Sequence, residues 1–147
     1  MLKTILFCLT ATLASAGAAC AEDAIRVIPA NSTKLNPSPT GATAAFMAGS
    51  PQQSGLYVIF ANYAAGTKGT PHSHPDQRVV TVLSGTLYSG SGPVFDETKA
   101  QALGPGSVLV IPANALHWSW AKDGDVLAEE VGIGPTSNLF PSAATGK

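Results

Sequence analysis

Two histidines at i and i+2, His72 and His74, stand in Gly69-Thr70-Pro71-His72-Ser73-His74-Pro75-Asp76-Gln77-Arg78, just ahead of the run Val79 to Val82. In an extended backbone alternate side chains share a face, so both imidazoles can point the same way. Two imidazoles on one face form half of a divalent-metal site. The third histidine of the chain, His117, opens a second strand-like run. From there it can complete a set of three nitrogen donors.

The elements that must position these side chains are strands. Leu56 to Tyr63, Val79 to Ser84, Ser107 to Ile111, Ala115 to Ala121 and Val126 to Ile133 are rich in β-branched and aromatic residues. Shorter strands are expected at Ile25 to Ile28, at Ala44 to Met47 and, past the Ser84-Gly85 turn, at Thr86 to Tyr88. Gly104-Pro105-Gly106, Pro112 and Asp123-Gly124 separate the runs, and Phe95 to Leu103 reads as one helical turn or an irregular excursion. No segment carries a helical period of useful length. About eight short strands at close spacing predict an all-β antiparallel barrel or jelly roll. The expected layout is an arm over 22–43, a barrel over 44–135 and a flexible, breaker-rich tail over 136–147.

With only 12% charged residues and a net charge of -1, the chain offers no electrostatic footing for nucleic acid or an anionic membrane. Its first residues read as a secretory signal. Lys3 is a short positive region, Ile5 to Ala14 an apolar core, and Ala19-Cys20-Ala21 a small-residue cleavage pattern. Cleavage after Ala21 would yield a periplasmic or secreted protein and remove both cysteines, Cys8 and Cys20. No thiolate ligand, thiol nucleophile or disulfide would then remain. Gly17 stands where a lipid-attachment signal normally has leucine, which argues against lipidation at Cys20. No Gly-x-Ser-x-Gly elbow or phosphate-cradling loop is present.

From Gly69 to Ala121 the sequence resembles the cupin superfamily, small jelly-roll barrels that carry a metal in the lumen. The first cupin motif runs G-x5-H-x-H-x3/4-E-x6-G, and Gly66, His72, His74 and Gly85 fit it. The second runs G-x5-P-x-G-x2-H-x3-N, and Gly106, Pro112 and His117 fit that. Asn114 replaces its inner glycine, a substitution by a residue that also tolerates a left-handed backbone. The resemblance implies a cupin-type jelly roll, His72, His74 and His117 as metal ligands, and a homodimer.

Two departures bear on chemistry. The usual glutamate of the first motif falls on Arg78, and the terminal asparagine of the second falls on Ala121. An arginine cannot ligate a cation, because it stays protonated and has no lone pair. Arg78 is therefore expected as either an outward or salt-bridged surface arginine or an anion hook for a substrate carboxylate in the lumen. Asp76 shares strand parity with the two histidines, and Gln77 offers a carbonyl oxygen as a further ligand. On Val126 to Ile133, Leu127, Glu129, Val131 and Ile133 form the more apolar face, which is expected to line the lumen. Glu129 is then a candidate fourth ligand, general base or partner of Arg78. Trp118 and Trp120 alternate with His117 and are expected to face outward, under the arm or a dimer partner.

These readings converge on a divalent metal (iron, zinc, manganese, nickel or copper) and a small organic ligand. The expected function is an exported, oxygenase-type enzyme, since three facial nitrogens leave open positions on a metal. The alternatives are a non-catalytic small-molecule or metal-binding protein and a metal-dependent isomerase or lyase.

Overall fold

The computed structural model describes residues 25–142. Nine strands and one 3-10 turn make up its regular structure among these residues: β1 (Asn36–Pro37), β2 (Thr43–Ala48), β3 (Gly55–Tyr63), β4 (Arg78–Ser84), β5 (Leu87–Ser91), the turn Glu97–Lys99, β6 (Gln101–Leu103), β7 (Val108–Ile111), β8 (His117–Trp120) and β9 (Val126–Gly134). They form a six-stranded sheet in the order β1-β2-β3-β9-β4-β7 and a three-stranded sheet in the order β6-β5-β8. Every named pairing is antiparallel. This is the all-β jelly roll that the sequence predicts.

Alternation along the strands makes the lumen. On β3, Tyr57, Ile59, Ala61 and Tyr63 are buried between less buried neighbours, as period-2 side chains on a half-covered sheet must be. Val80 and Val82 of β4 and Ala128 of β9 continue that inner face. One cluster packs Tyr63, Val82, Leu87 and Val126 with three alanines at one end of the barrel, and a second joins Val80, Ile111 and Ala128.

Several expectations change here. Ile25 to Ile28 forms no strand, and Ile25 and Val27 lie exposed. A β-branched run gains nothing from extension without an edge to pair with. Ser84-Gly85 does not fold β4 back on β5. Gly85, at φ +77, carries the chain from the large sheet to the small one, where β5 pairs with β6 and β8. β1 and β6, two and three residues long, are too short to show a period. Trp118 and Trp120 do point away from the lumen, but their own chain covers them: Phe95 packs on both, with centroids 4.4 and 5.7 Å away. Trp118 also lies against Gly90, where a Cβ would collide with the indole. Neither ring needs a partner for cover.

A candidate metal site in the barrel lumen

The histidines converge because two distant segments pair through the backbone. The His72 N–H donates to the His117 carbonyl at 3.0 Å, and the His117 N–H donates back to His72 at 2.9 Å. Residues facing each other in such a bridge point their side chains to one side, and His74, two residues on, joins them. The Asn114 N–H, from a residue held at φ +63, donates to the His74 carbonyl at 2.6 Å and ties the two segments again. Ring centroids lie 4.7 Å (His72–His74), 4.5 Å (His72–His117) and 5.2 Å (His74–His117) apart.

Each ring has one nitrogen committed. Nδ1 of His72 faces the Thr70 carbonyl at 2.7 Å, Nδ1 of His74 the Ser137 carbonyl at 3.0 Å, and Nδ1 of His117 the Ala115 carbonyl at 3.0 Å. A carbonyl only accepts, so each Nδ1 carries the proton and each Nε2 keeps a free lone pair. One ligand nitrogen from each ring lies within 4.8 Å of the other two. Burial pushes His72 down to about 4 and His74 to about 3, and it lowers His117 as well. All three are therefore neutral at pH 7, the state a metal requires. Three neutral imidazoles, oriented by carbonyls behind them and with no thiolate among the described residues, fit a borderline divalent cation.

Arg78 is 4% exposed, and both of its terminal nitrogens are engaged while its Nε has no partner among the described residues. Its Nη2 donates to Asp76 Oδ1 and to Thr136 Oγ1, both at 2.9 Å, and its Nη1 donates to Glu130 Oε2 at 3.0 Å. Tyr57 donates its hydroxyl to Asp76 Oδ2 at 2.6 Å, and Thr136 donates to Oδ1. Burial disfavours the Asp76 charge, but hydrogen bonds from Thr136, Tyr57 and Arg78 outweigh it and hold the carboxyl below its usual range. Gly132 makes room for this cluster, because a Cβ there would run into the Tyr57 hydroxyl and the Asp76 carboxylate. Arg78 is thus salt-bridged but buried, so it is neither a surface arginine nor a free anion hook.

Glu129 and Gln77 do not reach the site. Glu129 pairs in register with Phe60 and Thr81 on the outer face, while Glu130, level with Ile59 and Val80, lines the lumen. The apolar face of β9 is the outer one, with Ile133 59% exposed. The inner face takes Gly132 where Tyr57 and Asp76 leave no room for a Cβ, and Ala128 where Val80 and Ile111 pack against it. Gln77, one residue out of phase with Arg78, is exposed.

The tail is built in as far as Phe140. Ser73 and Leu139 exchange backbone hydrogen bonds, both at 2.8 Å, and the Phe140 ring lies 6.0 Å from that of His72. Thr136 and Ser137, placed by this strap, contact Arg78 and His74, and a composition full of breakers gave no sign of it. Histidines, Arg78 and Glu130 open on a cavity of about 410 Å3. Ile59, Val80, Leu109 and Ile111 form its apolar floor.

The family profile described as Cupin matches residues 38–138. No curated relative matches the chain. Among solved structures, the polyketide cyclase RemF from Streptomyces resistomycificus superposes with a TM-score of 0.65 at 19% identity, over 81% of this chain and 88% of that one. A cupin-superfamily sugar phosphate isomerase from Silicibacter pomeroyi gives 0.61 at 15% identity, over 80% and 83%. KdgF from a Halomonas species gives 0.60 at 20%, over 74% and 94%. At these identities the likeness is one of fold.

Proposed function

The chain belongs to the cupin family, and on that footing we propose an exported, metal-dependent enzyme acting on a small organic molecule in the barrel lumen. His72, His74 and His117 are its metal ligands. The observation that carries this reading is the set of free Nε2 lone pairs, each fixed by a carbonyl behind its ring. A bound dication would supply Lewis acidity, and iron or copper would add one-electron chemistry with dioxygen. The protein contributes orientation, an apolar floor for the ligand's carbon skeleton, and a cavity in the size range of small-molecule sites.

Oxygenase chemistry suits the three-nitrogen donor set. An isomerase or lyase is the second reading, favoured by the lumen carboxylate of Glu130. The cyclase and isomerase among proteins of similar fold are consistent with small-molecule chemistry of either kind. Dioxygen uptake by the iron- or copper-loaded protein, offered a panel of small enols, phenols and hydroxy ketones, separates the readings. Uptake with product supports the oxygenase, and turnover under argon supports the isomerase or lyase. Binding without turnover would leave a non-catalytic binding protein and refute the enzyme.

Export rests on the stretch Lys3 to Ala21, which lies outside the described residues. An intact mass of the mature protein beginning at Glu22 would support it. A homodimer, expected from the family, would cover the exposed outer-face residues Leu56, Val108, Val110 and Ile133. Sedimentation as a monomer at micromolar concentration would contradict it.

A further inference from the structure

Glu130 is the only acid among the described residues that line the cavity, and Arg78 is the only lysine or arginine. Arg78 faces two carboxylates, Asp76 and Glu130, so one positive charge meets two negative ones. Asp76 is closed off by Tyr57, Thr136 and Arg78. Glu130 is held at Oε2 only, and its Oε1 has no hydrogen-bond partner among the described residues. Its side chain is 18% exposed, so that oxygen is not sealed in protein. The remaining negative charge of the lumen therefore sits on an oriented carboxylate with a free oxygen, sharing one cavity with three neutral imidazoles.

We propose that Glu130 is the proton acceptor of this site, and that the site takes neutral, protic oxygen ligands such as enols, phenols and hydroxy ketones. This rests on the metal-site reading above and adds to it a base and a substrate class. The ligand's O–H bond breaks, its proton forms an O–H bond with Glu130 Oε1, and the electron pair stays on the ligand oxygen. Nothing is oxidised or reduced. Arg78 is the positioning residue, fixing Oε2 from a guanidinium that Asp76 and Thr136 hold in place. Phosphorylated and polyanionic ligands find no free guanidinium or ammonium among the described lining residues, because Arg78 is already paired with Asp76 and Glu130. The apolar floor of Ile59, Val80, Leu109 and Ile111 receives the rest of the ligand.

The test uses the full mature protein loaded with cobalt(II), as wild type and as Glu130→Gln, titrated at pH 7 and followed by its visible spectrum. Acetohydroxamic acid arrives neutral and must lose a proton to ligate, whereas azide arrives as an anion. Glutamine keeps the size of the side chain and an acceptor for Arg78. The proposal predicts that the variant binds acetohydroxamic acid about tenfold more weakly and azide severalfold more tightly. A carboxylate acting through charge alone would make both ligands bind more tightly, and that result overturns the proposal. So does no change in either. A tenfold or larger loss of cobalt affinity in Glu130→Gln would make Glu130 a ligand and overturn it too. Failure of the wild type itself to bind cobalt would instead remove the metal-site reading, and the proposal with it.

Discussion

Two polar clusters share the lumen and are built on opposite plans. Around Arg78 most donors and acceptors answer one another: the guanidinium faces Asp76, Thr136 and Glu130, Tyr57 completes Asp76, and only the Arg78 Nε lacks a partner among the described residues. Around the histidines, only the rear of each ring is satisfied, and three lone pairs are left facing one another. Buried polar groups that close on themselves brace a fold, whereas buried groups left open await something the chain does not contain. Glu130 lines the same cavity as the histidines, with one oxygen held by Arg78 and the other without a hydrogen-bond partner among the described residues.

The largest expected effect at neutral pH comes from opening the closed cluster. Arg78→Met leaves Asp76 and Glu130 without their cation and should cost about 3–5 kcal/mol in urea denaturation. The histidines should still bind metal, and loss of both properties together would mean that the clusters are not separable. Next comes acid. In the metal-free protein the folded-state pKa values of His72 and His74 lie near 4 and 3, below the unfolded value of 6.5. As pH falls through 6.5 the unfolded chain takes up protons that the folded chain refuses, so stability is lost. The slope approaches about 1.4 kcal/mol per pH unit for each histidine. Flat stability between pH 6.5 and 4.5 would show these rings to be open to water.

A smaller effect is expected at the strap. Truncation after Pro135 removes the Ser137 carbonyl behind His74, and the affinity for zinc should drop roughly 10- to 100-fold. An unchanged affinity would detach the strap from the site. Smallest of all, Glu129→Gln on the outer face should shift stability by less than about 0.5 kcal/mol and leave metal binding alone.

These contrasts also mark what the sequence can convey. The histidines were legible because i, i+2 spacing and strand parity are local, and so was the left-handed turn at Asn114. The inward face of β9 was not, because counting apolar residues rewards Leu127, Val131 and Ile133. Inside a small barrel, room decides instead: Gly132 fits beside Tyr57 and Asp76, and Ala128 against Val80 and Ile111. The burial of Trp118 and Trp120 depends on Phe95 from a distant loop, and the His74–Ser137 contact spans 63 residues. No local pattern announces contacts of that range.

The central claim, that His72, His74 and His117 form a metal site, is tested most directly by the elemental content of the purified mature protein beside a His72→Ala/His74→Ala variant. The account predicts close to one equivalent of a divalent transition metal per wild-type chain and none in the variant. No metal in either protein, after each candidate ion is added back, would contradict it.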